Sequence, residues 1–175
     1  MTNYRRNRVP GGTFFFTVVI AERNLDLLVR QIDHLKAALL DERQRTPFFN
    51  LGLVVLPDHL HAVWRLPEGE TDYSNRWRRI KAGFSRALPA GERVSASRAA
   101  KGERGIWQRR FWEHTVRDEE DLQRHLDYLH FNPVKHGLVS RVADWPHSTF
   151  HEYVRRGVYT PDWGGGSALN EDFGE

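Results

Sequence analysis

At 175 residues, 39% hydrophobic and 12% aromatic, the chain can bury one sizeable core and is short for two. It has no cysteine, which excludes a disulfide framework and a thiolate metal site and fits a reducing cytoplasm, and no run approaches the ~20 apolar residues of a membrane span. The net charge of +3 hides an asymmetry: from Tyr73 to Arg110 eleven lysines and arginines face two acids, a local balance of +9, so the rest stands at −6.

The N-terminus is basic through Arg5, Arg6 and Arg8, but Gly11-Gly12 follows as a turn into a strand, so no signal peptide is expected. Thr13 to Ile20, rich in Phe, Val and Thr, reads as a buried strand. Leu25, Leu28, Val29, Ile32, Leu35 and Leu39 make a helical stripe, with Asn24 placed as its N-cap. Phe48 to Leu56 and His59 to Leu66 are strands joined by a turn at Pro57-Asp58, a hairpin.

The second strand of that hairpin begins His59-Leu60-His61. Residues i and i+2 of a strand leave the same face, about 6–7 Å apart at the backbone, so the two imidazoles project together while Leu60 points into the core. Two neutral imidazoles on a rigid strand supply two of the three protein ligands of a divalent metal site.

Tyr73 to Leu88 is a basic amphipathic helix; Trp77, Ile80, Phe84 and Leu88 follow core spacing, so Trp77 and Phe84 are assigned to packing. Pro89 to Gly105 lacks periodicity and is expected to be a mobile loop. Phe111 to Val116 is a further strand, with Glu113 and His114 either supporting the fold or approaching the site. Glu119 to Phe131 is a helix expected to stop at Asn132-Pro133. Leu122, Leu126 and Leu129 form its core stripe, while His125, Tyr128 and Asn132 cluster about 90° away. His125 and Asp121 are assigned to the surface or to support of Tyr128. Gly164-Gly165-Gly166 opens a flexible, Gly-rich acidic tail over 164–175, leaving one domain over 1–163.

The order strand, helix, strand, strand, helix, strand is that of a ferredoxin-like α+β sandwich (βαββαβ), an antiparallel sheet with helices on one face. The last helix is an addition to that plan. Basic groups interleaved with Trp77, Phe84, Trp107, Phe111 and Trp112 suit a single-stranded or distorted nucleic acid, since cations track phosphates and aromatic faces stack on bases.

Several runs carry a resemblance: Gly11-Gly12-Thr13-Phe14-Phe15-Phe16-Thr17, Pro57-Asp58-His59-Leu60-His61, Phe84-Ser85-Arg86, the stretch Gly105 to His114, the stretch Tyr128 to Leu138, and Asp144-Trp145-Pro146. In this order, from about Tyr4 to Trp163, they resemble the single-tyrosine His-hydrophobe-His transposases, and within them the branch of REP-associated tyrosine transposases. The resemblance implies metal-dependent cleavage and rejoining of single-stranded DNA with no nucleotide cofactor. It makes Tyr128 the nucleophile and His59 and His61 the metal ligands. Asn132 stands where relatives place a polar third ligand, often Gln; the shorter side chain keeps the carbonyl oxygen but reaches less far.

The ion implied is Mg²⁺ or Mn²⁺, although two imidazoles and an amide are a softer set than Mg²⁺ usually takes. The partner implied is hairpin DNA from repetitive extragenic palindromes with a short single-stranded guide beside the foot. Arg5, Arg6 and Arg8 suit phosphate or groove contacts, Arg76, Arg78, Arg79, Lys81 and Arg86 the stem, and Arg109 and Arg110 the neighbourhood of the cleavage site. The residues leave open a catalytically idle hairpin-binding protein on the same scaffold and a metal hydrolase of small substrates. They leave open, too, monomer or homodimer, and DNA over RNA rests on the resemblance.

Overall fold

A computed structural model describes residues 6–164. The elements, in chain order, are β1 (Thr13–Val19), α1 (Leu27–Arg30), α2 (Ile32–Arg45), β2 (Phe49–Val55), β3 (His59–Arg65), α3 (Tyr73–Ala87), α4 (Ala96–Ala99), β4 (Trp112–Thr115), α5 (Glu119–Lys135) and α6 (Phe150–Arg155). The four strands form one antiparallel sheet in the order β2-β3-β1-β4. This is the ferredoxin-like order that the alternation of strands and helices predicts. Among the described residues no helix is long and apolar enough to cross a membrane.

The period-2 alternation of the strands divides the molecule in two. Phe14, Phe16 and Val18 of β1 and Leu60, Ala62 and Trp64 of β3 face one way. They join a core that includes Leu35 from α2 and Tyr73, Trp77, Ile80 and Phe84 from α3. Trp64 stacks on Trp77 with ring centroids 4.1 Å apart, so Trp77 is a packing residue, as the spacing in α3 predicts. Phe15 and Val63 face the other way, and α5 covers them with Leu126 and Leu129. The additional helix therefore lies on the face of the sheet opposite α2 and α3. Burial of each of these leucines stabilises its seat by about 2 kcal/mol.

β2 lies at the edge of the sheet, and an open edge pairs readily with foreign strands. The C-terminal segment closes it: Val55 N–H donates to His147 O, Thr149 N–H to Leu53 O and Tyr153 Oη to Leu51 O. The same segment clasps α5 from behind, through Tyr159 Oη donating to Asp127 at 2.5 Å and His130 against Thr149 at 2.9 Å.

Three boundaries differ from the sequence reading. The first helical stripe is broken at Gln31 into α1 and α2, and Asp26 rather than Asn24 precedes it. Pro89 to Gly105 is cross-tied rather than loose: Arg104 binds Glu92 and the carbonyls of Ser85, Leu88 and Pro89, while Arg98 reaches the carbonyls of Arg104 and Trp107. These are long-range ties that no local pattern announces.

Most consequential, α5 does not stop at Asn132-Pro133 but continues to Lys135. It ends in a Schellman arrangement in which Gly137, at φ +67°, lets Gly137 N–H reach Val134 O and Leu138 N–H reach Pro133 O. Only the missing donor of Pro133 is forgone, and the glycine-capped end offsets it.

Candidate functional site

His59 and His61 leave β3 on the α5 side, both buried, with ring centroids 5.0 Å apart. The register explains their support. Thr17 of β1 lies opposite His61, and its hydroxyl meets His61 Nδ1 at 2.9 Å. Asp58, read from the sequence only as a turn residue, meets His59 Nδ1 at 2.6 Å and accepts from Arg23 at 2.8 Å. Burial alone would raise the Asp58 carboxyl, but the hydrogen bonds from His59 and Arg23 hold it down at about 2.

An ionised carboxylate at Nδ1 fixes the proton there and turns Nε2 into a lone-pair donor. Nε2 of His59 is buried with no hydrogen-bond partner among the described residues. A buried, unsatisfied imidazole nitrogen costs free energy unless it has a ligand, so its chemistry matches that of a metal ligand.

From the opposite side α5 brings Tyr128 and Asn132, one turn apart and both buried. The Tyr128 ring lies 5.4 Å from that of His61, and Phe15 packs against both. The imidazole pair and the phenol thus meet within one chain, with Asn132 one helical turn beyond Tyr128. Two residues absent from the sequence reading of the site join them. Lys135 Nζ donates to Tyr128 Oη at 3.2 Å, and His136 stands edge-on to His59 at 5.1 Å. A cavity of about 260 Å³, lined by Arg23, Leu25, His59, His136 and Leu138, opens beside the pair.

His125 and Asp121 are buried, not at the surface. Asp121 accepts from His114 Nε2 at 2.8 Å, from Arg117 N–H at 3.0 Å and from Arg124 at 3.2 Å, and His114 stacks on His125 at 4.5 Å. Ligand atoms of His114, Asp121 and His125 lie within 4.8 Å of one another. Two guanidinium groups already answer the carboxylate and would repel a cation. The cluster instead ties β4 to the first turn of α5 and so fixes the rotation of the helix. Glu113, on the other face of β4, accepts from Arg6 at 2.8 Å and from Tyr73 Oη at 3.3 Å and serves the core.

The basic segment converges on a separate groove of about 650 Å³ between α3 and residues 98–111. Arg6, Arg78, Lys81, Arg86 and Arg109 line it, joined by Arg98, Arg104, Trp77, Trp107 and Phe111. Burial and the charges of Arg6 and Arg98 push the Lys81 ammonium down to about 8. Arg8 and Arg110 are exposed, and Arg5 lies outside the described residues.

Two of the arginines assigned to a hairpin stem are engaged elsewhere. Arg76 is buried and donates to the carbonyls of Asp72, Thr46 and Pro47. Arg79 forks onto the buried Glu42 at 2.7 and 2.8 Å. Their i, i+3 spacing on a basic helix gave no sign that this face meets α2. The tail over 164–175 lies outside the described residues except for Gly164.

An antiparallel α+β sheet that offers paired histidines to a tyrosine on a covering helix defines a His-hydrophobe-His, single-tyrosine scaffold. No protein-family model matches the chain. It is 46% identical over 165 residues to the REP-associated tyrosine transposase of Escherichia coli K12, covering 94% of this chain and 92% of that one. A Haemophilus influenzae protein assigned provisionally to the same group is 44% identical over 170 residues, 97% of each chain. A solved structure described as a REP-associated tyrosine transposase bound to a REP hairpin superposes over the whole of both chains, with TM-score 0.81 and 42% identity. The chain belongs to the REP-associated tyrosine transposases.

Proposed function

We propose that this chain binds hairpin DNA of the REP type and cleaves and rejoins the single strand beside it through a covalent bond to Tyr128. The observation that carries this reading is the meeting of the Tyr128 ring with the buried His59–His61 pair. His59 and His61 through Nε2, and Asn132 through its carboxamide oxygen, would hold Mg²⁺ or Mn²⁺. Bound there, such an ion supplies charge stabilisation to non-bridging phosphate oxygens.

The protein's own part is orientation. Asp58 and Thr17 fix the two imidazoles, and α5 presents Tyr128 Oη to the phosphate. Attack by Oη forms one P–O bond as the bond to the departing strand breaks. The phosphodiester energy is kept in the intermediate, and reversal needs no nucleotide cofactor. By family resemblance the link is to the 5′ phosphate, leaving a free 3′-OH.

The groove at α3 supplies cations and aromatic faces to the hairpin through Arg6, Arg78, Lys81, Arg86 and Arg109, with Arg8 and Arg110 exposed nearby in sequence. Its wall leads towards the histidines. Gln108 N–H donates to Val19 O and Trp112 pairs with Thr17, while the same two β1 residues pair with His59 and His61. The relative solved with a REP hairpin supports this choice of partner.

The test is incubation of the full chain with hairpin-bearing single-stranded DNA and Mg²⁺ or Mn²⁺, followed by denaturing electrophoresis. Wild type forms a DNA adduct that mass spectrometry maps to Tyr128. Tyr128→Phe forms none, and His59→Ala and His61→Ala keep hairpin binding with strongly reduced cleavage. Binding with no adduct in wild type would leave an idle hairpin-binding protein. Metal-dependent turnover that survives Tyr128→Phe would make water the nucleophile.

A further inference from the structure

A phenol, with a reference pKa near ~10, is a weak nucleophile at neutral pH, and as a leaving group in the reverse step it departs with negative charge, so Tyr128 needs help. In the proposed function the two imidazoles would hold the cation. We infer that Lys135 is a catalytic residue of this site, its ammonium stabilising the charge that gathers on Tyr128 Oη as the bond to phosphorus is made and broken. The inference rests on the reading of Tyr128 as nucleophile.

Two observations carry it. Lys135 Nζ lies 3.2 Å from Tyr128 Oη and donates to it, and the same ammonium stands 4.7 Å from the centroid of the ring. The positions explain the contact. Seven residues make two turns of helix, which returns Lys135 to the azimuth of Tyr128 and Asn132. Side chains on a helix lean towards its N-terminus, so Lys135 reaches back along that face. The reach exists only because α5 runs through Pro133 before Gly137 ends it.

A basic residue in a last turn ordinarily serves the helix by facing its terminal carbonyls. Here the ammonium donates to a phenol. Its long stem places a full charge at the reacting oxygen without burying it, since Lys135 is itself exposed.

The step balances with the ammonium unchanged. In cleavage Tyr128 Oη bonds to phosphorus and the bond from phosphorus to the departing strand's oxygen breaks. The phenolic proton passes to water, and the departing oxygen takes one from water. In rejoining, a strand's hydroxyl oxygen bonds to phosphorus and gives its proton to water, while the P–Oη bond breaks and the phenolate leaves facing Lys135 and takes a proton from water. Removing one donor aimed at developing charge costs roughly 10²-fold in rate.

The test uses the full chain with hairpin single-stranded DNA and Mn²⁺, comparing wild type, Lys135→Met, Lys135→Arg and Tyr128→Phe in single-turnover adduct formation over a range of DNA concentrations. Lys135→Met is expected to lower the saturating rate by about 10²-fold, with the half-saturating DNA concentration and the thermal midpoint unchanged. Lys135→Arg, which restores the cation, recovers most of that loss. A saturating rate at the wild-type level in Lys135→Met, beside a wild type that forms the Tyr128 adduct, overturns the role of Lys135 and leaves the proposed function standing. A defect confined to half-saturation also overturns it and makes Lys135 a DNA-binding cation. An adduct that persists in Tyr128→Phe, or is absent from wild type, overturns the parent reading instead.

Discussion

Gly52 of β2 sits directly beneath Leu126 and Leu129 of α5, beside an irregularity of register between Asn50 and Gly52. A Cβ at this position would stand 2.7 Å from Leu126 Cδ2 and 3.4 Å from Leu129 Cδ1. Carbon pairs are most comfortable at roughly 3.5–4.0 Å, so Gly52→Ala requires Leu126 or its helix to withdraw by about 1 Å. Leu126 is buried and only two residues before Tyr128 on the same helix, and the C-terminal segment clasps α5 from behind, so the displacement is resisted.

Overpacking of this kind costs about 1–3 kcal/mol. A misplacement of ~1 Å at the nucleophile lowers the rate by ~10²-fold. The groove at α3, on the far face of the sheet, is untouched. Gly52→Ala is therefore expected to lower the urea midpoint and slow adduct formation while hairpin affinity holds. Adding Leu126→Val, which removes the colliding carbon, restores part of both losses. Wild-type adduct kinetics in a Gly52→Ala protein of reduced stability would refute the claim that the seat of α5 sets the position of Tyr128.

Three further outcomes follow from the same geometry. Asp58→Asn leaves His59 without its anionic partner and is expected to weaken Mn²⁺ binding by about 10–100-fold, read by calorimetric titration; unchanged affinity would remove Asp58 from the site. Lys81 loses its proton as pH rises through about 8. Binding of a hairpin by the groove should then weaken between pH 7 and pH 9, with the salt slope falling by about 0.9, and Lys81→Arg should abolish this pH dependence in fluorescence anisotropy. Asp121→Ala strips a buried partner from His114, Arg117 and Arg124, and a loss of about 3 kcal/mol in urea denaturation is expected; stability at the wild-type level would show that the cluster does not hold α5.

The alternation of Phe, Val and Thr in β1 and of His, Leu, His, Ala, Val, Trp in β3 made the sheet and its sidedness readable, because a period of two is a local property of the chain. The histidine pair was readable for the same reason, and the Tyr128–Asn132 face from the 3.6-residue period of a helix, which is equally local. Thr17 was not: it supports His61 only through the register between β1 and β3, which a single sequence does not contain. Lys135 was hidden by reading Asn132-Pro133 as a stop, when the loss of one hydrogen bond so near the end of a helix is small beside a glycine-capped terminus. The engagements of Arg76 and Arg79 were not readable because their partners, the carbonyls near Thr46 and the carboxylate of Glu42, lie about 30 or more positions upstream.

β3 sends Leu60, Ala62 and Trp64 to one side and His59, His61 and Val63 to the other. Neighbouring positions of one short strand therefore answer to different selective demands. A change at an even-numbered position taxes the interior beneath α2 and α3, while a change at an odd-numbered one disturbs the centre under α5. A lineage can thus drift in the interior on one side of this sheet and leave the histidine–tyrosine centre on the other undisturbed.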